Sequence, residues 1–314
     1  MVASTIFEDD QILVQSAPAA EGVRSPVAVL SYSPMNHDFA AKGIPARAAL
    51  QSLNFDVFGI IAKKNNWYPQ SSVEAAAVAL RPLLGEYSQK IAYGSSMGAY
   101  GAIKYSALMG CDHVLALAPQ YSIDPADVPW DTRFRQHFRS ELNTGMGIAT
   151  GDVSGRVIVV TDPMLRVDLR HFEVIAQCSQ ADLIPAYFCD HYVVNPIASR
   201  LILAALFKAV LDGNIDQARE VYRKARKSSA YYRGSLMHAL AVRRMKQGRL
   251  DSAVAACTAS IESMPKQAEF LLTKSRVHVL RKERDAAIAA ATSAVQLDPT
   301  REWYQRVLRE AEAS

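Results

Sequence analysis

Two patterns of hydrophobic and polar positions alternate over the first two thirds of the chain. Short runs of aliphatic, β-branched and aromatic residues predict strands, and longer segments with helical spacing of apolar residues lie between them. Several strand runs, such as AVLSY and VIVV, are apolar without a break, as expected for strands covered on both faces. The predicted strands are 11–15, 27–32, 56–62, 90–93, 113–118, 156–160 and 181–188.

The segments between the strands predict helices and one long irregular stretch. Strands that alternate with helices indicate βα units, and therefore an α/β fold with a mostly parallel sheet sandwiched by helices. Residues 121–155, which we call the excursion, are rich in Pro, Asp, Gly and charge, with at most one short helix near 133–142. Loops of this kind commonly shape access to a substrate site. The predicted helices are 46–53, 72–87, 97–109, 168–178 and 196–211.

The last third of the chain has a different pattern, rich in Ala, Arg, Lys and Glu, and it repeats. Asp216, Asp251 and Asp285 fall in register with steps of 35 and 34 residues, and Pro265 and Pro299 are also 34 apart. A period of this length, with small residues at helix contacts and proline at the boundary, resembles the tetratricopeptide repeat. The resemblance implies an all-α module that contacts a protein partner or a second copy of the chain, or one that only stabilises the preceding domain.

Composition excludes several classes of function. Half of the 314 residues are apolar, and 35 Lys and Arg against 31 Asp and Glu give a net charge of only +4. A nucleic-acid binder would show a concentrated basic face, so we expect no nucleic-acid partner. The longest apolar run, 201–210, is too short to span a bilayer and contains Lys208, so we expect a buried helix and no membrane span.

The cysteines and the N-terminus favour a cytoplasmic protein. The four cysteines stand far apart, with neither a CxxC pair nor zinc-ligand spacing, which is typical of a reduced compartment. The N-terminal residues are acidic where a signal peptide needs a basic start. We therefore expect a cytoplasmic location. The four cysteines are Cys111, Cys178, Cys189 and Cys257.

A glycine-flanked serine lies between a predicted strand and a predicted helix. Residues 94–98 read GSSMG, which is G-x-S-x-G in the strand-to-helix context where that pattern has a mechanical meaning. The sharp turn raises the hydroxyl of Ser96 above the sheet edge and directs the amide of Met97 at the same place. Ser96 is therefore a candidate nucleophile and Met97 a candidate oxyanion donor. The alternative is a Gly/Ser-rich turn that only permits tight helix packing.

On this motif, residues 5–205 resemble the α/β-hydrolase family. The resemblance implies a catalytic domain over 1–205, followed by the helical repeats over 206–314. It also implies a triad in the order serine, acid, histidine, with each member at the carboxyl end of a strand. His191 follows the last predicted strand and is the candidate base, although a solvated loop histidine would look the same.

Two aspartates follow the penultimate predicted strand. Asp162 comes almost directly after it, and Asp168 comes six residues later, at the start of a predicted helix. The family's acid commonly lies a few residues beyond this strand, which favours Asp168 and leaves Asp162 to brace the loop. The alternative for Asp168 is a helix N-cap.

Other candidate site residues follow the strands 27–32 and 56–62. The second oxyanion donor is expected near Ser33 or at Met35, although the HGGG run of lipases is missing. Trp67 and Tyr68 could form an aromatic platform for a sugar, and His37 could line the pocket. Packing in the core or in a loop is the alternative for all three.

These residues predict a serine hydrolase that cleaves an acyl ester through a Ser-His-Asp triad and a covalent acyl-enzyme. The substrate is expected to be a small-molecule ester or a glycan ester, and no metal or organic cofactor is needed. The alternative is a scaffold that keeps the α/β-hydrolase shape without catalysis and recruits a partner through the repeats.

Overall fold

A computed structural model describes residues 3–19 and 25–314 of the chain. The described residues contain one eight-stranded sheet, and two of its strands, 27–32 and 56–62, are buried at every position. The strands are β1 (Ser4–Glu8), β2 (Ile12–Ala17), β3 (Val27–Tyr32), β4 (Asp56–Ala62), β5 (Gln89–Ser95), β6 (His113–Leu117), β7 (Arg156–Thr161) and β8 (Asp182–Pro185).

The strand order across the sheet is β1-β2-β4-β3-β5-β6-β7-β8. β2 pairs antiparallel with both β1 and β4, and every other pair is parallel. The parallel strands therefore all end at one edge of the sheet, which we call the carboxyl edge. The loops that follow β3 to β8 meet there, and side chains at this edge can converge on one site.

Helices cover both faces of the sheet. One face packs against helices α3 (Gln70–Leu84) and α4 (Met97–Lys104), and the other packs against α7 (Arg200–Leu211). The mostly parallel sheet between two helical layers confirms the predicted α/β class of this part of the chain. The helices are α1 (Phe39–Lys42), α2 (Arg47–Gln51), α3 (Gln70–Leu84), α4 (Met97–Lys104), α5 (Ser140–Asn143), α6 (Arg166–Cys178), α7 (Arg200–Leu211), α8 (Ile215–Ser228), α9 (Ala230–Lys246), α10 (Leu250–Ser263), α11 (Ala268–Leu280), α12 (Arg284–Leu297) and α13 (Glu302–Glu312).

The excursion is largely irregular, as its composition predicts. Within 121–155 the structure has only α5 and two 3-10 turns, Arg135–His137 and Thr150–Asp152. Two side chains of α4 hold it in place: the Tyr100 hydroxyl donates to the Met146 carbonyl at 2.6 Å, and Lys104 Nζ lies 2.7 Å from Asp152 Oδ2. The helix that follows Ser96 therefore anchors the excursion.

The chain divides into two compact units, residues 1–225 and 226–314. The boundary lies 20 residues later than the one at 205/206 that the change in composition indicates. The reason is α7 and α8, because Phe207 and Val210 of α7 and Tyr222 of α8 are fully buried in the cluster on one face of the sheet. The sequence of α8, rich in Arg, Lys and Ala, resembles the repeats in composition, but the helix packs with the sheet.

The second unit is helical in all its regular elements. Asp251 and Asp285 each lie in the first turn of a helix, α10 and α12, and both helices bury only small side chains, six of the eight being alanine. This agrees with a repeat of helix pairs, while the tetratricopeptide identity stays a prediction. In neither described range is there a helix long and apolar enough to cross a membrane.

Candidate active site

The turn between β5 and α4 holds Ser96 in an unusual backbone conformation. Its φ is +53° and its ψ is −121°, and a positive φ is rare for a residue with a side chain. The Ser96 amide donates to the Leu117 carbonyl at 2.8 Å, which ties the turn to the end of β6. Ser96 is half-buried at the carboxyl edge, where a substrate can reach its hydroxyl.

The glycines on either side of Ser96 lie against backbone. A β-carbon at Gly94 would stand 2.3 Å from the carbonyl carbon of Gly98, and one at Gly98 would stand 2.5 Å from the Tyr32 carbonyl oxygen. Backbone atoms cannot yield as a flexible side chain does, so both positions exclude any side chain. The glycines therefore allow the end of β5 and the start of α4 to approach β3 this closely.

The structure brings Ser96, His191 and Asp168 together. His191 Nε2 lies 2.9 Å from Ser96 Oγ, and His191 Nδ1 lies 2.6 Å from Asp168 Oδ2. An ionised carboxylate only accepts, so Nδ1–H donates to Asp168 and the lone pair of Nε2 is left for the Ser96 hydroxyl. This is the tautomer that a general base needs.

Asp168 is a buried, ionised carboxylate. It lies in the first turn of α6, two residues inside the helix, so it is not the N-cap; Leu165 holds that position. Burial raises the pKa of Asp168, but the hydrogen bond from His191 and the charges of His191 and Arg133 outweigh it and leave the pKa below its ordinary value. Asp168 therefore stays ionised at neutral pH.

Asp162 has a different position. Its Oδ2 accepts hydrogen bonds from the amides of Cys189 and Asp190 at 2.9 and 2.8 Å, and its Oδ1 accepts from Met164 at 2.9 Å. These bonds tie the loop after β7 to the loop that carries His191. The Asp162 carboxylate thus braces the loop, and it is Asp168 that contacts the imidazole.

The two predicted oxyanion donors lie on neighbouring elements. Met97 is the first residue of α4, where an amide has no acceptor within its own helix. The amide of Ser33 donates to the Ile60 carbonyl at 3.1 Å, so it is already used. Met35 is half-buried in the loop after β3. The last residue of β3, Tyr32, packs against Gly98.

The predicted aromatic platform is wrong. Trp67 and Tyr68 are 1% and 0% exposed, because both residues adopt a positive φ that turns their rings inward. The Tyr68 hydroxyl donates to the Ser33 carbonyl at 2.6 Å, and the Trp67 ring packs on Phe134. Neither ring offers a face to a substrate, so they support the site from behind.

His37 does not line the site either. Its Nε2 lies 2.6 Å from the carbonyl of Gly43, a contact that closes the loop after β3 on itself. The alternative interpretation of His37 as a loop residue is therefore the one that the structure supports.

Four residues that sequence reasoning missed complete the surroundings of the triad. Gln120, after β6, has its Nε2 3.4 Å from Ser96 Oγ and its Oε1 3.3 Å from Trp67 Nε1. Arg133 Nη2 lies 2.7 Å from Asp168 Oδ1. Asp131 contacts this arginine, and the buried His171 contacts Asp131. Gln120 follows a strand, which is a usable signal, whereas the other residues have no pattern that marks them.

A cavity of about 420 Å³ lies near the site, and eight of the nine residues that line it have polar or charged side chains. His137 lines it and also packs near Trp67, with ring centroids 5.8 Å apart, and Trp67 in turn contacts Gln120, the neighbour of Ser96 Oγ. The cavity also has cationic and acidic groups from Lys64, Arg139 and Glu141. Four amide side chains line it: Gln11, Asn65, Asn66 and Asn143.

Comparisons with known proteins give little for this chain. No family model matches the sequence, and no curated protein gives a significant match. Among solved structures, a 2,6-dihydroxy-pseudo-oxynicotine hydrolase is similar with a TM-score of 0.49 and 11% identity, over 68% of each chain. An α/β serine hydrolase without a lid from Xanthomonas campestris has a TM-score of 0.43 and 17% identity, over 68% of this chain and 94% of its own. An esterase from Pyrococcus furiosus has a TM-score of 0.46 and 13% identity, over 67% and 90%. All three scores lie below 0.5, so we infer nothing about chemistry from them.

Proposed function

We propose that this protein is a serine hydrolase that cleaves acyl esters. The observation that supports the proposal most directly is the continuous hydrogen-bonded series from Ser96 through His191 to Asp168, with distances of 2.9 and 2.6 Å. Such a series, on a serine held in a strained turn, activates a hydroxyl that would otherwise be a weak nucleophile.

The reaction has two steps. Ser96 Oγ attacks the ester carbonyl while its proton moves to His191 Nε2, and the imidazolium then donates that proton to the departing alkoxide. This leaves the acyl group on Ser96 and releases the alcohol. In the second step His191 takes a proton from water, the resulting hydroxide equivalent attacks the acyl carbon, and the proton returns to Ser96 as the acid leaves. Asp168 stays ionised and stabilises the imidazolium in both steps.

The oxyanion that forms in each step requires hydrogen-bond donors. The Met97 amide, free at the start of α4, is the first donor that we propose. Because the Ser33 amide is engaged with Ile60, Met35 is the second donor that we propose. The Gln120 amide group, 3.4 Å from Ser96 Oγ, is close enough to orient the serine before attack.

The amide-lined cavity supports a polar substrate. Amide groups pair with hydroxyls both as donors and as acceptors, which suits a carbohydrate better than an acyl chain. We therefore propose that the ester has a sugar or another polyhydroxylated alcohol, and this rests on the cavity and not on Trp67 and Tyr68. An acetylated sugar should then be hydrolysed with a lower KM than an alkyl acetate of the same size.

Labelling with a fluorophosphonate probe tests the function. The probe should label the wild type, and Ser96→Ala should abolish labelling and lower ester hydrolysis at least about 10³-fold. Ser95→Ala is the matched control, because Ser95 lies next to Ser96 at the end of β5, and it should remain labelled. If folded wild-type protein is not labelled and hydrolyses no ester, the proposal is wrong, and the non-catalytic scaffold is favoured.

A further inference from the structure

Asp168 has a second partner besides His191. Arg133, in the excursion, places Nη2 2.7 Å from Asp168 Oδ1, while His191 occupies Oδ2. Both oxygens of a fully buried carboxylate are therefore fixed by cationic or polarised N–H donors. A carboxylate held at both oxygens cannot rotate, so Arg133 sets the direction in which Asp168 faces the imidazole.

Arg133 is itself held by a second carboxylate. Its Nε and Nη2 lie 3.0 and 2.8 Å from Asp131 Oδ1 and Oδ2, in the side-on geometry of a bidentate pair. His171 Nε2 lies 2.9 Å from Asp131 Oδ2, and the amide of Tyr121 donates to His171 Nδ1 at 3.0 Å. Because Nδ1 accepts, His171 is neutral and its Nε2–H donates to Asp131.

The charges of this cluster do not cancel. Asp131 and Asp168 are two anions, Arg133 is one cation and His171 is neutral, so the cluster has one excess negative charge. Without Asp131, Arg133 would neutralise Asp168, and Asp168 would stabilise a protonated His191 less. With Asp131 present, the excess charge is balanced only when His191 takes the proton of Ser96.

We propose that Arg133 and Asp131 are positioning residues of the hydrolase site: Arg133 orients Asp168, and Asp131 compensates the charge of Arg133 so that Asp168 can stabilise the His191 imidazolium. This inference rests on the proposed function of the triad. It assigns a catalytic consequence to the excursion, which otherwise resembles an irregular loop.

The two residues predict opposite changes in the acid limb of the pH–rate profile, where His191 must lose its proton to act as a base. Asp131→Asn removes a negative charge, so the imidazolium is disfavoured and the limb moves to lower pH. Arg133→Met removes a positive charge, so the limb moves to higher pH. Each shift should be roughly half a pH unit, because Arg133 is partly exposed to solvent. The plateau should fall about tenfold or more in both variants, because Asp168 loses its orientation or its effective charge.

Other charged groups near His191 or near the cluster of Arg133, Asp131 and His171 stay constant in this comparison. Asp162 and Asp190, on the loops after β7 and β8, are unchanged in every variant. Arg170 of α6 stacks on Trp130, 3.8 Å from the ring centroid, and is also unchanged. A shift in opposite directions therefore reports the two substituted groups and not a general loosening of the site.

The experiment measures the rate of fluorophosphonate labelling and kcat/KM for p-nitrophenyl acetate against pH, in the full chain. The double variant Asp131→Asn/Arg133→Met restores the charge balance, so its limb should return towards that of the wild type. Arg133→Lys keeps the positive charge but loses the planar guanidinium group. Its acid limb should therefore stay at the wild-type pH, while the plateau value of kcat/KM should fall. Circular dichroism checks that each variant is folded.

Opposite shifts, with the double variant between them, would support the proposal. The proposal would be overturned if the acid limbs of the two single variants shifted in the same direction or did not move. It would also be overturned if the acid limb of the double variant lay no closer to that of the wild type. A wild type that is labelled while the limbs stay unmoved would overturn only the role of Arg133 and Asp131. A wild type that is not labelled at all would overturn the proposed function, and this inference with it.

Discussion

Both ring nitrogens of His191 are engaged in the structure, one with the proposed nucleophile and one with Asp168. Asp168→Asn keeps the size of the side chain but removes its charge and favours the wrong imidazole tautomer. We expect kcat to fall by about 10⁴-fold, with Tm less affected. Steady-state kinetics with a chromogenic ester and thermal unfolding measure both effects.

Asp162→Asn is the matched comparison for that prediction. Asn keeps one acceptor oxygen and replaces the other with an NH2 group that cannot accept, so the substitution loses either the bond from Met164 or the bonds from Cys189 and Asp190. We therefore expect a clear loss of Tm. The loss of kcat should be smaller than in Asp168→Asn. A large fall in kcat at unchanged Tm would instead identify Asp162 as the acid.

At the scale of residues, the sequence could supply candidates with a fixed position relative to a strand. Ser96, His191 and Asp168 each follow a strand at the carboxyl edge, and they lie in mutual contact. Trp67 could not be placed, because its inward turn depends on a positive φ that no local pattern announces. Arg133 could not be found either, because it lies in an irregular segment 35 residues from its partner.

At the scale of elements, the approach of α4 to β3 sets the geometry of the turn. Gly98→Ala would place a methyl group 2.5 Å from the Tyr32 carbonyl oxygen and force α4 away from the strand. We expect a loss of about 1–3 kcal/mol in the free energy of unfolding, together with lost labelling of Ser96. Chemical denaturation and labelling measure the two effects.

The control for Gly98→Ala is Gly151→Ala. Gly151 is exposed, and no neighbouring heavy atom lies within 4 Å of the position that its β-carbon would take. This variant should unfold at the denaturant concentration of the wild type. If Gly98→Ala behaves in the same way, close packing of α4 on β3 is not what shapes the turn.

Elements with a strong apolar pattern were predictable, and exposed ones were not. β3 and β4 have the predicted bounds, because a strand buried on both faces is a continuous apolar run. β1 was missed: it is a five-residue edge strand, STIFE, with no fully buried residue. The short helices of the excursion follow its tertiary anchors, Tyr100 and Lys104, and not a pattern of their own.

At the scale of the whole molecule, the buried aspartates predict sensitivity to acid. Burial raises the pKa of Asp131, but hydrogen bonds from His171 and Arg133 outweigh it and lower the pKa well below the ordinary value of 3.8. The pKa of Asp168 is lowered too. A carboxylate with a depressed pKa stabilises the fold above its unfolded value, and that contribution is lost as the pH falls.

We therefore expect the Tm of the wild type to fall progressively between about pH 5 and pH 1. Asp131→Asn should start from a lower Tm at neutral pH but lose less over that interval, because one such carboxylate is gone. Differential scanning fluorimetry over a pH series measures both slopes. Equal slopes in the two proteins would contradict the role given to Asp131.

The two compact units divide at a place that composition alone does not show. The switch from strands to alanine-rich helices marked a second unit, but composition could not show that α7 completes the face of the sheet. The boundary at Ala225/Arg226 depends on packing, which only the folded chain displays.

The backbone geometry of Ser96 depends on its surroundings. The Leu117 carbonyl at the end of β6 accepts a hydrogen bond from its amide, and Gly94 and Gly98 allow β3, β5 and α4 to pack closely. An L-amino acid released from those restraints relaxes to negative φ and withdraws its side chain. The reaction of Ser96 Oγ with a covalent probe therefore reports whether the surrounding elements have folded correctly. In a mixed population of molecules, the tagged fraction would count those that have reached the native state.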